Sequence, residues 1–121
     1  MVFGDQPPQP GDIRVEVTTI DEIVRELKLT TVNLIKMDIE GSERKALAGA
    51  REVLRKFRPR MALRTYHLPD DVVVVPATVK SMVADYEFVC GPCGEVDAPF
   101  RKPYCSAKGP PSSGRVAHLT A

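Results

Sequence analysis

The residues best suited to chemistry lie in one run, Lys36, Asp38, Glu40, Gly41, Ser42 and Glu43. In a strand, side chains alternate, so Lys36, Asp38 and Glu40 share one face and Ile35, Met37 and Ile39 the other. A central parallel strand normally reads apolar on both faces, so three charges on one face are either solvated or kept for a purpose. Their place favours purpose. They stand at the carboxyl end of a strand, before a glycine turn into a helix, which is where open α/β sheets bind ligands. Gly41 can take the positive φ of a sharp turn. Ser42 can cap the following helix, and Glu43 suits its electropositive first turn. The plain alternative is a half-exposed strand with surface charges.

The elements that must position these groups follow from periodicity. Ile13 to Val17 alternates like a short strand. Thr19 and Glu22 form a capping box, and Ile20, Ile23, Val24 and Leu27 predict a helix over 20–29. Val32 to Ile39 reads as a strand. Ala46, Leu47, Ala50, Val53, Leu54 and Phe57 make one apolar stripe, predicting a single helix over 43–57 that Pro59 stops. Met61 to Tyr66 is a further strand. Val72 to Val75 is ambiguous, because four valines favour a strand and Pro69-Asp70-Asp71 favours a helix start. Val79, Met82 and Val83 continue a helical pattern to about Asp85, and Tyr86 to Cys90 closes as a strand. Strands alternating with helices predict an α/β fold with a mostly parallel sheet and flanking helices.

Composition bounds the rest. The chain has 121 residues, 43% hydrophobic and 27% charged, which is ordinary for a globular domain. Eight of the eleven prolines fall in residues 1–11 and 91–121. The expected organisation is therefore a flexible arm over 1–11, a folded region over 12–90 and an irregular tail over 91–121. No apolar run is long enough to span a bilayer. A net charge of +1 gives no general pull toward nucleic acid or anionic lipid. Three cysteines, an odd count with no secretory leader apparent, make a reduced, cytoplasmic setting the default expectation and imply no disulfide framework.

Several ordered blocks resemble the FkbM family of methyltransferases. Val32–Gly41 with Glu43 (VNLIKMDIEG-x-E) is similar to the family's signature. Thr19-Ile20-Asp21-Glu22-Ile23, Leu47-Ala48-Gly49-Ala50, Arg58-Pro59 and Tyr66-His67-Leu68-Pro69-Asp70-Asp71 match further blocks in the same order. The resemblance covers residues 15–90 and implies a partial Rossmann-like methyltransferase sheet. It implies S-adenosyl-L-methionine (SAM) as cofactor and a hydroxyl of a sugar or natural product as methyl acceptor. Gly4 and Gly11 are the only glycines before Gly41, so no glycine-rich cofactor turn stands ahead of the signature; the resemblance is to the carboxyl half. By that resemblance Asp38, Glu40 and Gly41 face the cofactor, and Asp38 and His67 act in catalysis. Lys36, Glu43, Tyr66 and Asp70 support them or line the wall, Lys36 fixing the carboxylate beside it.

Three other readings stay open. Cys90 and Cys93 have the spacing of a zinc ligand pair, which Cys105 and His118 could complete. Arg44, Arg51, Arg55 and Arg58, with Lys45, Lys56 and Arg60 nearby, could meet an anionic partner such as RNA or a carrier protein, or simply form the solvated face of a helix. An incomplete sheet exposes a strand edge that invites self-association or a complementing chain, with the protein then an inactive remnant.

Overall fold

A computed structural model describes residues 7–93 and 102–109. The elements are α1 (Ile20–Glu26), β1 (Leu34–Met37), α2 (Glu43–Ala48), α3 (Arg51–Phe57), β2 (Arg60–Arg64), α4 (Asp71–Met82), β3 (Glu87–Cys93) and β4 (Lys102–Lys108). The sheet order is β1-β2-β4-β3. Strands β1 and β2 are parallel, with Leu34 opposite Arg60 and Met37 opposite Leu63. Strand β4 enters antiparallel between β2 and β3. The sheet is thus mixed: among the described residues its one parallel pair is the pair that carries the site, and the expectation of mostly parallel strands is corrected for the rest.

One face of the sheet forms the core. Ile35 and Met37 of β1, Met61 and Leu63 of β2 and Ala107 of β4 pack with Leu47, Val53, Leu54, Val75, Val79 and Met82 from the helices. The other face stays open, with Leu34 61% and Val89 74% exposed and Lys36 and Arg60 also at the surface.

Thr19 and Glu22 close the capping box on α1: the Glu22 amide donates to the Thr19 hydroxyl (3.1 Å) and the Thr19 amide to the Glu22 carboxylate (3.2 Å). The Thr18 hydroxyl, followed by Thr19, holds the Glu22 carboxyl below its ordinary range. The stripe read as one helix over 43–57 breaks at Gly49-Ala50 into α2 and α3. The break has a cause in α1. The Asp21 carboxylate accepts from the amides of Glu52 (3.0 Å) and Val53 (2.9 Å), so it caps α3 from another helix. The Asp21 amide in turn donates to the Gly49 carbonyl (2.9 Å). A Cβ on Gly49 would lie 3.0 Å from the Thr19 side chain, so glycine permits this approach. Asp21→Ala is expected to cost about 1–2 kcal/mol, as loss of a helix cap does, read as a lower urea midpoint with unchanged slope.

The four valines are helical. Asp71, Val75, Val79 and Met82 recur at helical spacing and are buried, and the Asp71 carboxylate accepts from the Leu68 amide (2.8 Å) just before the helix. Burial outweighs β-propensity here. Pro76 lies inside α4, and the Thr78 hydroxyl bonds back to the Val74 carbonyl (2.8 Å).

Three other expectations fail. Ile13 to Val17 forms no strand among the described residues, and its Ile13, Val15 and Val17 are 85%, 72% and 92% exposed. Alternation alone does not make a strand without a partner to bond to. The strand read over 32–39 is confined to Leu34–Met37, because the chain turns at Glu40 and Gly41. The tail is not irregular over Lys102–Lys108, which is β4, and β3 continues to Cys93. Residues 1–6, 94–101 and 110–121 lie outside the described residues, so most of the arm and the rest of the tail do too.

Cys90 and Cys105 face each other across the β3–β4 ladder and form a disulfide. This corrects the expectation of free thiols. It also removes two of the four zinc ligands, since neither sulfur is left as a thiolate. Cys93's side chain and His118 lie outside what is described. Among the described residues no helix is long and apolar enough to cross a membrane.

Tyr86 anchors the base of the sheet. It is 1% exposed, and its hydroxyl donates to the Pro59 carbonyl (2.8 Å). Burial pushes this phenol up from 10.0 to about 12. A raised folded-state pKa means that stability is intact below pH 10 and is lost as pH rises toward 12, by about 2–3 kcal/mol in all. Alkaline unfolding followed by circular dichroism should show this loss, and Tyr86→Phe should flatten it between pH 10 and pH 12.

Candidate functional site: a carboxylate–histidine edge

Because β1 and β2 run parallel, their carboxyl ends meet at one edge, and the chemical residues collect there. Asp38 follows β1 directly. Glu40 and Gly41 both take positive φ, 55° and 94°, so the turn into α2 is left-handed at two successive residues. A non-glycine residue pays for that conformation in strain. Glu40 therefore reaches the site through the turn, not through strand alternation. A Cβ on Gly41 would approach the His67 Cβ at 3.6 Å, so the turn lies close against the histidine.

His67 stands at the centre, three residues after β2, with its side chain 8% exposed. Its Nε2 lies 3.5 Å from Asp38 Oδ1 and 3.6 Å from Glu40 Oε2. Its Nδ1 lies 3.2 Å from Oε1 of Glu43, which is fully buried. Glu43 Oε1 also accepts from the Ile39 amide (2.9 Å), so the carboxylate clasps its own turn while facing the ring. Both ring nitrogens and Glu43 Oε2 are buried without a hydrogen-bond partner. Tyr66 stacks obliquely on His67 with ring centroids 4.2 Å apart, and its hydroxyl donates to Asp38 at 3.4 Å.

The cation beside Asp38 is Arg64, with Nε 3.4 Å from Oδ2. Lys36 makes no ion pair with Asp38 among the described residues, so its expected role passes to Arg64. Sequence reasoning missed Arg64. The register that sets Lys36 against Ala62 and Met37 against Leu63 carries Asp38 level with Arg64, and only that register shows it.

A second layer holds the histidine turn. Arg44 Nε donates to Asp71 Oδ1 (2.9 Å), and its guanidinium also pairs with Asp70. The Asp71 side chain is only 1% exposed. The Arg44 bond holds the Asp70 carboxyl below its ordinary range and, reciprocally, raises Arg44. Asp70 thus pairs with Arg44 at the N-cap of α4, where its side chain makes no cap bond. Ser42 sits at the N-cap of α2 without a side-chain cap bond.

The basic row does not survive as one face. Arg44 is committed to two aspartates, Arg55 donates to the Met82 carbonyl (3.3 Å), and the break at Gly49-Ala50 separates Arg44 from Arg51, Arg55 and Arg58.

The arrangement gathers the carboxylates of Asp38, Glu40, Glu43 and Asp71 within reach of one imidazole at an accessible edge, with Asp38 40% and Glu40 66% exposed. It can attract a cationic group and accept a proton from a neutral one. The described residues place nothing there to enclose an adenosine. The residues present fit the charged end of a sulfonium cofactor and no more of it.

Comparison with known proteins identifies the family. No curated protein matches the chain. A solved structure, methyltransferase FkbM from Methylobacillus flagellatus KT, superposes with a TM-score of 0.60 at 31% identity, covering 74% of this chain and 22% of that one. The present chain therefore spans about a fifth of that protein's length. A family model, the methyltransferase FkbM domain, matches residues 7–96. That match takes in α1, the parallel pair and the whole carboxylate–histidine edge, and on it the chain belongs to the FkbM methyltransferase domain family.

Proposed function

We propose that this edge serves SAM-dependent methyl transfer to a hydroxyl group, on a sugar or natural product. The observation that carries the reading is His67 Nε2 held between two accessible carboxylates, at the carboxyl end of the family's matched strands. When bound, SAM supplies an electrophilic methyl whose C–S bond breaks as the acceptor oxygen's lone pair forms the new C–O bond. Asp38 and Glu40 attract and orient the cationic end. Glu43, buried beside Nδ1, favours the proton on that nitrogen and leaves Nε2 to take the acceptor's hydroxyl proton. Tyr66 and Arg64 hold Asp38 in place. Positioning and electrostatics then supply most of the rate.

The test is a labelled-methyl assay with SAM and polyhydroxylated acceptors in metal-free buffer. Transfer to oxygen that Asp38→Asn abolishes supports the reading. Transfer that Asp38→Asn leaves unchanged refutes it.

A partner reading has its own support. Among the described residues strand β1 pairs only with β2, which leaves its outer edge open there, and Leu34 and Val89 lie exposed on the uncovered face. A second copy or a complementing chain would extend the sheet there. Sedimentation should show a concentration-dependent dimer, and Leu34→Lys should suppress it.

A further inference from the structure

We infer that Asp38, Glu40 and His67 form a binding site for a divalent first-row cation, of which Mn²⁺ is the simplest probe. It goes beyond the proposed reading of this edge and does not depend on the methyl-transfer step. The candidate ligand atoms of the three residues all lie within 4.8 Å of one another. Nε2 is 3.5 Å and 3.6 Å from the two carboxylate oxygens. That is too long for a hydrogen bond. It is close to the separation of two donors that each sit about 2.1 Å from a shared ion.

A second observation is independent of the acidic cluster. The His67 side chain is more than nine-tenths buried, yet neither ring nitrogen has a hydrogen-bond partner, and Nε2 points at the gap between the carboxylates. A buried imidazole without a partner is costly unless something completes it. Charge argues the same way. The carboxylates of Asp38, Glu40 and Glu43 converge on the ring, and a divalent ion would offset their charge. Glu43 beside Nδ1 is the outer carboxylate that commonly orients a ligating histidine. Two carboxylates and one imidazole suit Mn²⁺ or Zn²⁺ better than a thiolate-seeking ion. An ion here uses the Nε2 lone pair, so it competes with proton acceptance by His67.

The experiment is Mn²⁺ titration of the full chain by electron paramagnetic resonance, without SAM. Saturable binding of one equivalent is expected. Asp38→Asn, Glu40→Gln and His67→Gln should each weaken it at least tenfold, while the remote Glu87→Gln leaves it unchanged. Circular dichroism establishes that each variant is folded, and exposed Glu40 keeps the test available if the buried His67 variant unfolds. No saturable binding, or equal affinity in the Asp38 and Glu40 variants, overturns the site. The arms separate the two proposals: Mn²⁺ binding without methyl transfer sustains the cation site alone, and methyl transfer without Mn²⁺ binding sustains only the catalytic reading.

Discussion

Replacing Arg44 with alanine is expected to lower the stability of the chain, read as a lower urea midpoint, because it leaves the buried Asp71 carboxylate without its cationic partner. The orphan is Asp71, whose side chain is 1% exposed and would keep only the Leu68 amide. The exposed partner, Asp70, contributes much less, because solvent screens it. Asp71→Asn combined with Arg44→Ala should recover much of the loss, since it removes the uncompensated charge along with the guanidinium. The effect reaches the site as well. Arg44 lies in the first turn of α2 and Asp71 in the first turn of α4, and the Asp71 carboxylate also holds the amide of Leu68, the residue after His67. Urea unfolding reads the stability. Faster hydrogen exchange at Leu68 in the folded variant reads the loosened turn.

On the proposed function, the second large effect is catalytic. His67→Gln is expected to lower methyl transfer by about 10²–10⁴-fold, the usual worth of a positioned general base. Glutamine keeps roughly the size and one polar contact but accepts no proton at the position of Nε2. The loss should fall in kcat with KM little changed, because the residue acts on the acceptor's proton and not on its binding. Glu43→Gln should give a smaller loss of the same kind. It keeps an oxygen near the Ile39 amide but weakens the hold on Nδ1. A His67→Gln enzyme with unaltered kcat would remove the histidine from the mechanism.

The sequence made the site's position legible and its wiring only in part. A strand ending in acidic residues before a glycine, followed by a second strand ending in Tyr66-His67, sufficed to place both ends at one edge. Gly41 was readable as a positive-φ residue, while the equally left-handed Glu40 was not, because nothing in its type announces it. Arg64 was hidden because pairing depends on register, which periodicity does not specify. The break between α2 and α3 was hidden for a related reason. The apolar stripe runs unbroken from Ala46 to Phe57, and the cap that divides it comes from Asp21, 31 residues before Glu52. Val72 to Val75 stayed ambiguous because propensity is local and burial is not. Lys102–Lys108 misled because a proline-bearing segment reads as irregular until a neighbouring strand is known.

The central claim is that this edge receives the cationic end of the methyl donor. Its most direct test is a pair of titrations of the ¹⁵N-labelled chain, one with SAM and one with S-adenosylhomocysteine, which lacks the sulfonium charge. The account predicts that SAM shifts the resonances of Asp38 to Gly41 and of His67, that the neutral thioether shifts them far less, and that Asp38→Asn erases the difference. Equal shifts with both ligands, or shifts confined to residues away from this edge, would contradict it.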